Sequence, residues 1–439
     1  MRYKQAGCQR HLRIFEDRSE YHADNRHTEM FHEGTVSQEA TRRNQKVRDG
    51  FKGGFFEDLI SSLLEGKISV DTDKISEPAS ESVNALVDSL TSQVGRALIG
   101  LSVMQLCIKS VCPDQNIRLH KGSFNRASFS WVEGISMRTL DKKYVTPILR
   151  KYNLLRLNAD GFMMTRSLAE NYPYTFLYKA RLRGAREQWL ILVEELEKGG
   201  TSPIETLKYL LSRLINAASI FDEAADELLK SVDEIIGQYA NRSSVASLLK
   251  QHLDDSDYAA RLLEIGMHSL MQAAVETGAF EGMEVKPLSQ MRSANKKHGN
   301  IGDIELLDEY DQIIEAWDAK YGKAYLREEI EEATEKLRHH AYVKLIGFVT
   351  NAEIERSIEI SKRIEDIEQL YSVNFEVITY DDWVDRIYGI SLSSGTASEE
   401  KLSQKWLVTY CEYLCQRRRA NAPIDEPCFD WVLSLSKIL

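Results

Sequence analysis

The segment from Ser256 to Trp383 alternates between helical and extended patterns, and this alternation limits the possible folds more than any other feature of the chain. Its order is helix, loop, strand, turn, strand, helix, strand, helix, strand, judged from the spacing of the apolar residues. Helices that alternate with strands in this way cover the faces of a sheet. The sequence therefore predicts a mixed, helix-rich α/β fold.

With 439 residues, the chain is too long for one hydrophobic core, and we expect several domains of about 150 residues or fewer. Residues 1 to about 50 are polar and weakly periodic, which predicts a poorly ordered arm. One long buried helix is predicted from Val83 to Ile108. The predicted division is an N-terminal arm with a short helix (1–80), a basic and aromatic-rich domain (81–190), a helical connector (191–255), an α/β domain (256–390) and C-terminal helices (391–439).

Neither export nor membrane insertion is predicted. The N-terminus lacks the apolar region of a signal peptide, and no apolar run approaches the roughly 18 residues that cross a bilayer. The six cysteines form no CxxC pair, which favours free thiols over a zinc site. We therefore expect a soluble protein of the cytoplasm.

Charge is distributed unevenly along the chain. The formal net charge is −11, yet residues 118–186, here called the basic region, contain 14 Lys and Arg against 4 Asp and Glu. Aromatic residues interleave with these cations, as on surfaces that meet phosphates and bases. In the alternative interpretation, the aromatic residues form a core and the arginines only decorate it. The basic region is predicted to contain short strands, turns and helices.

Arginine suits the edge of guanine in the major groove, and lysine suits phosphate. A second basic stretch, RSANKKHG, precedes the acidic strands and could contact the DNA backbone, although a solvated loop explains it almost as well. The same caution applies to the cations at 417–419. The candidate DNA-binding residues are Arg126, Arg138, Arg166, Arg181 and Arg183 in the basic region, and Arg292, Lys296 and Lys297 in the second stretch.

Two acids and a lysine lie at the ends of the first two predicted strands. Asp303 belongs to GDIEL, and Asp318 and Lys320 belong to DAK. Alternate residues of a strand share a face, so pairing of these strands through the LDEYD turn would bring both carboxylates together beside the ammonium. Hard oxygen ligands of this kind suit Mg²⁺, which can polarise a phosphodiester and acidify a bound water.

These motifs, in this order of elements, resemble the PD-(D/E)xK nuclease superfamily over residues 256–390. The resemblance implies that Asp303 and Asp318 bind Mg²⁺ and that Lys320 assists the attacking water. It also implies a further metal ligand from the preceding helix, with Glu264 as the first candidate and Glu276 as the second. Two departures are that Gly302 replaces the family's proline and that the second acid is Asp rather than Glu.

An acid two residues before a lysine is common, and context favours Asp318 over the other occurrences. Glu284-Val285-Lys286 spells the motif more typically, but Pro287 follows it and no acidic strand precedes it, so no strand is expected there. Glu305 and Glu315 remain possible substitutes in the site. A solvated hairpin is the alternative without function. The other occurrences are Glu65 with Lys67, Asp141 with Lys143, and Glu399 with Lys401.

Within the superfamily, the resemblance is to type II restriction endonucleases, which implies Mg²⁺-dependent, sequence-specific cleavage of double-stranded DNA. Cutting two strands needs two sites, so a homodimer on a palindromic sequence is expected. A bacterial or archaeal host with a companion DNA methyltransferase is implied by the resemblance alone. The alternatives are a repair or structure-specific nuclease and a non-catalytic DNA-binding regulator.

Overall fold

The structure is a computed structural model that describes residues 10–23, 28–288, 300–324, 326–354, 357–417 and 427–439. It is mixed α/β and helix-rich with two small sheets, which confirms the predicted class. The chain divides into two compact units, Met1–Ile220 and Phe221–Leu439, here called the first and second units. The predicted boundaries near residues 80 and 190 fall inside the first unit, and those near 255 and 390 fall inside the second.

The helices and strands have the following bounds. The first unit contains β1 (His11–Ile14), β2 (Arg18–His22), β3 (Thr28–His32), α1 (Gln38–Lys52), α2 (Phe55–Leu64), α3 (Glu77–Asp88), α4 (Gln93–Val111), α5 (Met137–Leu140), α6 (Thr146–Lys151) and α7 (Arg186–Lys198). Helix α8 (Pro203–Ile235) spans the division. The second unit contains α9 (Arg242–Asp254), α10 (Ala259–Glu276), β4 (Glu284–Val285), β5 (Ile304–Leu307), β6 (Ile313–Ala319), α11 (Arg327–Leu337), β7 (Leu345–Thr350), α12 (Ile358–Tyr371), β8 (Asn374–Thr379), α13 (Tyr380–Ser393), α14 (Glu399–Glu412) and α15 (Cys428–Ile438).

The prediction of a poorly ordered arm is wrong for the described part of residues 10–50. Strands β1, β2 and β3 form an antiparallel sheet, and α1 follows it with Ser37 as its N-cap. Tyr21 and Phe31 are buried in one cluster with Leu119 and Trp131. The sheet is ordered because these aromatic residues pack against residues about one hundred positions further along the chain.

The single helix predicted from Val83 to Ile108 is two helices, α3 and α4, separated at residues 89–92. The side chain of Ser92 accepts a hydrogen bond from the Gly95 N–H at 2.9 Å and so caps α4. Within the described residues, α4 alone is long and apolar enough to cross a membrane, and 83% of its most apolar window is buried inside the protein. A core helix passes the same test of length and composition.

In the basic region, the expected short strands are replaced by turns and short helices; one isolated bridge, from Trp131 to Glu33, is the only strand-like pairing among its described residues. Trp131, Phe162, Tyr174 and Tyr178 are buried, so these aromatic residues serve as core. Arg118 is also buried, and its guanidinium lies 2.6 Å from Glu194 and 3.2 Å from Glu29. The interleaving of aromatic and basic residues thus has a structural cause at these positions.

The sheet of the second unit has the order β4-β5-β6-β7-β8. Pairing is antiparallel from β4 to β6 and parallel from β6 to β8. Helices precede and follow these strands in the predicted order. One face of β6 presents Trp317 to the cluster that includes α10 and α13, and the other presents Ala316 to the cluster of α11 and α12.

The expectation that Glu284-Val285-Lys286 lacks strand structure is wrong. Glu284 and Val285 form β4, which pairs with Leu307 and Leu306 of β5 at the edge of the sheet. The strand is only two residues long and ends before Pro287, where a proline removes a backbone donor.

Candidate active site

Asp303 and Asp318 meet because of the register between β5 and β6. Ile304 pairs with Trp317, and one further step along the antiparallel ladder places Asp303 opposite Asp318 on the same face. The Asp303 N–H donates to the Trp317 carbonyl at 2.9 Å, which holds this register. These two residues are called the acid pair below.

Lys320 completes the group from the end of β6. Its Nζ lies 2.9 Å from Asp318 Oδ2, and its backbone N–H donates to the Val349 carbonyl of β7 at 2.8 Å. Asp303 Oδ2 accepts a hydrogen bond from the Ala319 N–H at 3.1 Å. Asp318 is 6% exposed, whereas Asp303 and Lys320 are partly exposed, so solvent reaches one side of the group.

The two carboxyl groups lie close enough for each to shift the pKa of the other. Burial raises the pKa of Asp303 well above its ordinary value, and Asp318 acts in the same direction. Burial would also raise the pKa of Asp318, but the hydrogen bond from Asp303 and the Lys320 ammonium outweigh it and lower that pKa. The pKa of Lys320 is raised, because the attraction of Asp318 exceeds the effect of burial. Asp303 is therefore the carboxyl of the pair that takes up a proton more readily, and Asp318 is the one favoured as a carboxylate beside Lys320.

The turn before Asp303 leaves no room for a side chain at position 302. A Cβ on Gly302 would lie 2.6 Å from the Trp317 carbonyl oxygen, closer than side-chain carbons come to backbone. The Gly302 N–H donates to Glu305 Oε1 at 3.2 Å, and a proline would lack this donor. Glycine at 302 is thus required by the local geometry of this chain.

Glu305, one of the two proposed substitutes, is used to hold this turn. Its buried carboxylate accepts from the Ile301 and Gly302 N–H groups and lies 2.6 Å from Lys286 Nζ. Lys286 also donates to Asn300 Oδ1 at 2.8 Å. Lys286, the lysine of Glu284-Val285-Lys286, therefore stabilises the turn that leads into Asp303.

Glu315, the other proposed substitute, belongs to the opposite face of β6. Its Oε1 accepts a hydrogen bond from Trp317 Nε1 at 2.6 Å, and burial raises its pKa. It alternates with Ala316 and Asp318, so its side chain does not join the acid pair.

The two candidate third ligands on α10 do not join the acid pair either. Glu264 forms an ion pair with Arg261, and both side chains are 4% exposed. Burial lowers the pKa of Arg261 to about 10, although Asp303 acts in the opposite direction. Glu276 lies 2.6 Å from Lys405. Among the residues described, no three His, Cys, Asp or Glu side chains converge closely enough to hold a metal ion.

The acid pair itself has the chemistry of a divalent-cation site. Two adjacent carboxylates repel each other unless a proton or a cation lies between them, and Asp318 accordingly adds to burial in raising the pKa of Asp303. Mg²⁺ is commonly held by one or two carboxylates together with water and phosphate oxygens. Asp303 and Asp318 therefore fit Mg²⁺ without a third acid.

All five candidate arginines of the basic region are exposed. Within the described part of the chain, none of them pairs with a carboxylate, so their charges face solvent. Phe124 is 58% exposed in the loop that carries Arg126. Arg292, Lys296 and Lys297 lie outside the described residues, as do the side chains at 417–419.

Sequence reasoning missed two cations near the acid pair, Arg261 and Lys336. The Arg261 charge interacts with Asp303, and Lys336 adds a smaller contribution to the lowering of the Asp318 pKa by Asp303 and Lys320. Arg261 and Lys336 each lie three or four residues from a glutamate on the same helix, which is the usual spacing of ion pairs on a helix surface. Only their burial distinguishes them.

No protein-family model matches the chain, and no curated protein matches its sequence.

Proposed function

We propose that the chain is a Mg²⁺-dependent endonuclease that cleaves double-stranded DNA at specific sequences, as type II restriction enzymes do. The observation that supports this proposal best is the convergence of Asp303, Asp318 and Lys320 at the ends of antiparallel strands that lead into parallel β7 and β8. Packing alone gives no reason to place two carboxyl groups and an ammonium together at this position.

In the proposed mechanism, Asp303 and Asp318 would hold Mg²⁺ as carboxylate ligands. The bound ion would polarise the scissile phosphate and acidify a water. Asp318 orients the Lys320 ammonium, which is partly exposed beside the carboxylates. Lys320 holds the attacking water and offsets the negative charge that develops on the phosphate.

The exposed arginines of the first unit are proposed to bind the DNA. Arg126, Arg138, Arg166, Arg181 and Arg183 lack carboxylate partners among the described residues, so phosphates and base edges can take that place. Cleavage of both strands is proposed to involve a homodimer.

The test is incubation of the purified protein with plasmid DNA and Mg²⁺, followed by electrophoresis and sequencing of the ends. We expect discrete fragments, and we expect Asp318→Asn and Lys320→Ala each to reduce the cleavage rate by at least about a hundredfold. Glu309→Gln is the matched control, since Glu309 is an exposed acid in the turn of the same hairpin. Its rate should equal that of the wild type.

Other outcomes identify the alternatives. Cleavage restricted to branched or damaged DNA would indicate a repair nuclease, and a gel shift without cleavage would indicate a regulator. An Asp318→Asn protein that cuts at the wild-type rate would show that the acid pair is not the active site.

A further inference from the structure

The loop at residues 121–131 of the first unit is closed at its base by a hydrogen bond and by tight packing. The Trp131 N–H donates to the Lys121 carbonyl at 2.8 Å, and Trp131 is 1% exposed. A Cβ on Gly122 would lie 2.3 Å from the Gly134 carbonyl oxygen, so the base has no room for a side chain at that position. The loop is thus anchored to the core by its two ends.

The tip of this loop, residues 124–128, has a backbone fixed by its own hydrogen bonds. Asn125 Oδ1 accepts a hydrogen bond from the Ala127 N–H at 2.9 Å, and the Ser128 N–H donates to the Asn125 carbonyl at 3.1 Å. The Asn125 oxygen is used in this turn, and its amide N–H₂ group can still donate. A partner would therefore meet an ordered tip and would bear little of the cost of ordering it.

All five residues of the tip are exposed. Phe124 is 58% exposed and belongs to none of the hydrophobic clusters of the described residues, whereas Phe129 packs on Trp131 with ring centroids 5.2 Å apart. A single exposed aromatic residue is ordinary, but Phe124 is followed by an amide and a guanidinium in a loop that has no acidic residue. The tip therefore presents a ring, a hydrogen-bond donor and a positive charge to solvent.

We propose that this tip enters the minor groove of double-stranded DNA and that Phe124 wedges between two base pairs. The inference rests on the DNA binding of the proposed function. Proteins that bind the minor groove insert apolar side chains such as Phe between base steps and contact the groove with Asn and Arg. Phe124, Asn125 and Arg126 supply these three groups from successive residues. The strongly negative potential of a narrow A·T minor groove also favours the Arg126 cation.

The test uses a short duplex with a central run of alternating A·T and T·A pairs, because TA steps are easily unstacked. The fluorescent base 2-aminopurine, which is quenched by stacking, replaces one adenine of this run. Chelator removes divalent cations, so the DNA stays intact. Wild-type protein should raise the fluorescence severalfold at saturation, and netropsin, which occupies the minor groove, should displace the protein.

The variants separate the ring from the charge. Phe124→Ala should abolish the fluorescence rise and weaken binding about fivefold, because the stacking of the ring on the bases is lost. Phe124→Trp keeps a flat ring and should retain the rise. Arg126→Gln should weaken binding but leave the rise at saturation. The control is Tyr342→Ala, which removes a ring that is 62% exposed in the second unit and should change neither quantity.

A Phe124→Ala protein that melts as the wild type does and still raises the fluorescence would overturn the inference. Binding that netropsin leaves unchanged would also overturn it and would indicate the major groove. Failure of the wild type to bind any duplex would overturn the proposed DNA binding, and the inference with it. A wild-type protein that unstacks the duplex but does not cut DNA in Mg²⁺ would overturn the nuclease proposal alone and would support the inference.

Discussion

The basic region of the first unit and the acid pair of the second place their charged groups in opposite environments. In the basic region, the candidate arginines are exposed while the neighbouring aromatic residues, such as Trp131 and Tyr174, are buried. In the acid pair, the charges themselves are held against the sheet, and Asp318 is 6% exposed. One region thus has an ordinary core under a charged surface, and the other has a charged group built into the fold.

Because of this difference, the two regions support a functional site to different degrees. Exposed cations cost little free energy and are compatible with many partners. Two adjacent carboxyl groups beside an ammonium are costly to bury, and such groups concentrate at functional sites. The acid pair is therefore the stronger argument, although the basic region is larger.

The largest expected effect tests whether the aromatic residues of the basic region are core. Trp131→Ala should lower the free energy of unfolding by about 3–5 kcal/mol, because Trp131 is 1% exposed and packs with Tyr21, Phe31 and Leu119. Urea denaturation measures this change.

Phe124→Ala is the matched control for Trp131→Ala. Since Phe124 is 58% exposed, the free energy of unfolding of the Phe124→Ala protein should differ from that of the wild type by less than about 0.5 kcal/mol. A stable Trp131→Ala protein would contradict the assignment of these aromatic residues to a core. Weaker DNA binding by Phe124→Ala would add an exposed aromatic contact to the proposed DNA surface.

The next effect tests the buried histidine of the second unit. His252 Nδ1 lies 2.8 Å from the Tyr410 hydroxyl and its Nε2 lies 3.0 Å from the Trp431 carbonyl oxygen, while burial lowers its pKa to about 4. This pKa is below the value of about 6.5 that histidine has in the unfolded chain. The contribution of neutral His252 to the free energy of unfolding is therefore present above pH 6.5 and is lost as the pH falls toward 4.

Urea titrations at pH 7 and pH 4.5 compare wild type with His252→Gln. Between pH 7 and pH 4.5, the free energy of unfolding of the wild type should fall by on the order of 2 kcal/mol more than that of the variant. Equal losses in the two proteins would show that His252 is protonated without a penalty in the folded state.

A smaller effect tests the turn of the acid pair. Gly302→Pro should destabilise the protein by about 1–3 kcal/mol, because the added Cβ crowds the Trp317 carbonyl and the N–H that donates to Glu305 is lost. Gly389→Ala is the control, since a Cβ there meets no atom within 4 Å and alanine should stabilise the interior of α13 by about 0.5–1 kcal/mol. A Gly302→Pro protein as stable as wild type would contradict the requirement for glycine at position 302.

Contacts could be predicted from the sequence when the two residues lie close together along the chain, and not when they lie far apart. Asp303, Asp318 and Lys320 were found because alternation along two neighbouring strands and one short turn brings them together. Lys336 was missed because its contact with Ile301 joins residues 35 positions apart. The N-terminal sheet was missed for the same reason, since Tyr21 and Phe31 are buried in one cluster with the distant Leu119 and Trp131. β4 has two residues, too few to show a period.

The smallest expected effect concerns a single exposed cation of the basic region. If Arg138 contacts a phosphate, Arg138→Ala should reduce the slope of log affinity against log salt by about 0.9 for a nonspecific duplex. If Arg138 reads a base, the slope should stay nearly constant while discrimination between sequences falls by about 1–3 kcal/mol. Lys437→Ala is the control, because Lys437 is an exposed cation of α15 outside the basic region. If both variants bind DNA as the wild type does, Arg138 does not contact the DNA. The exposed positive charge of the first unit would then serve solubility alone.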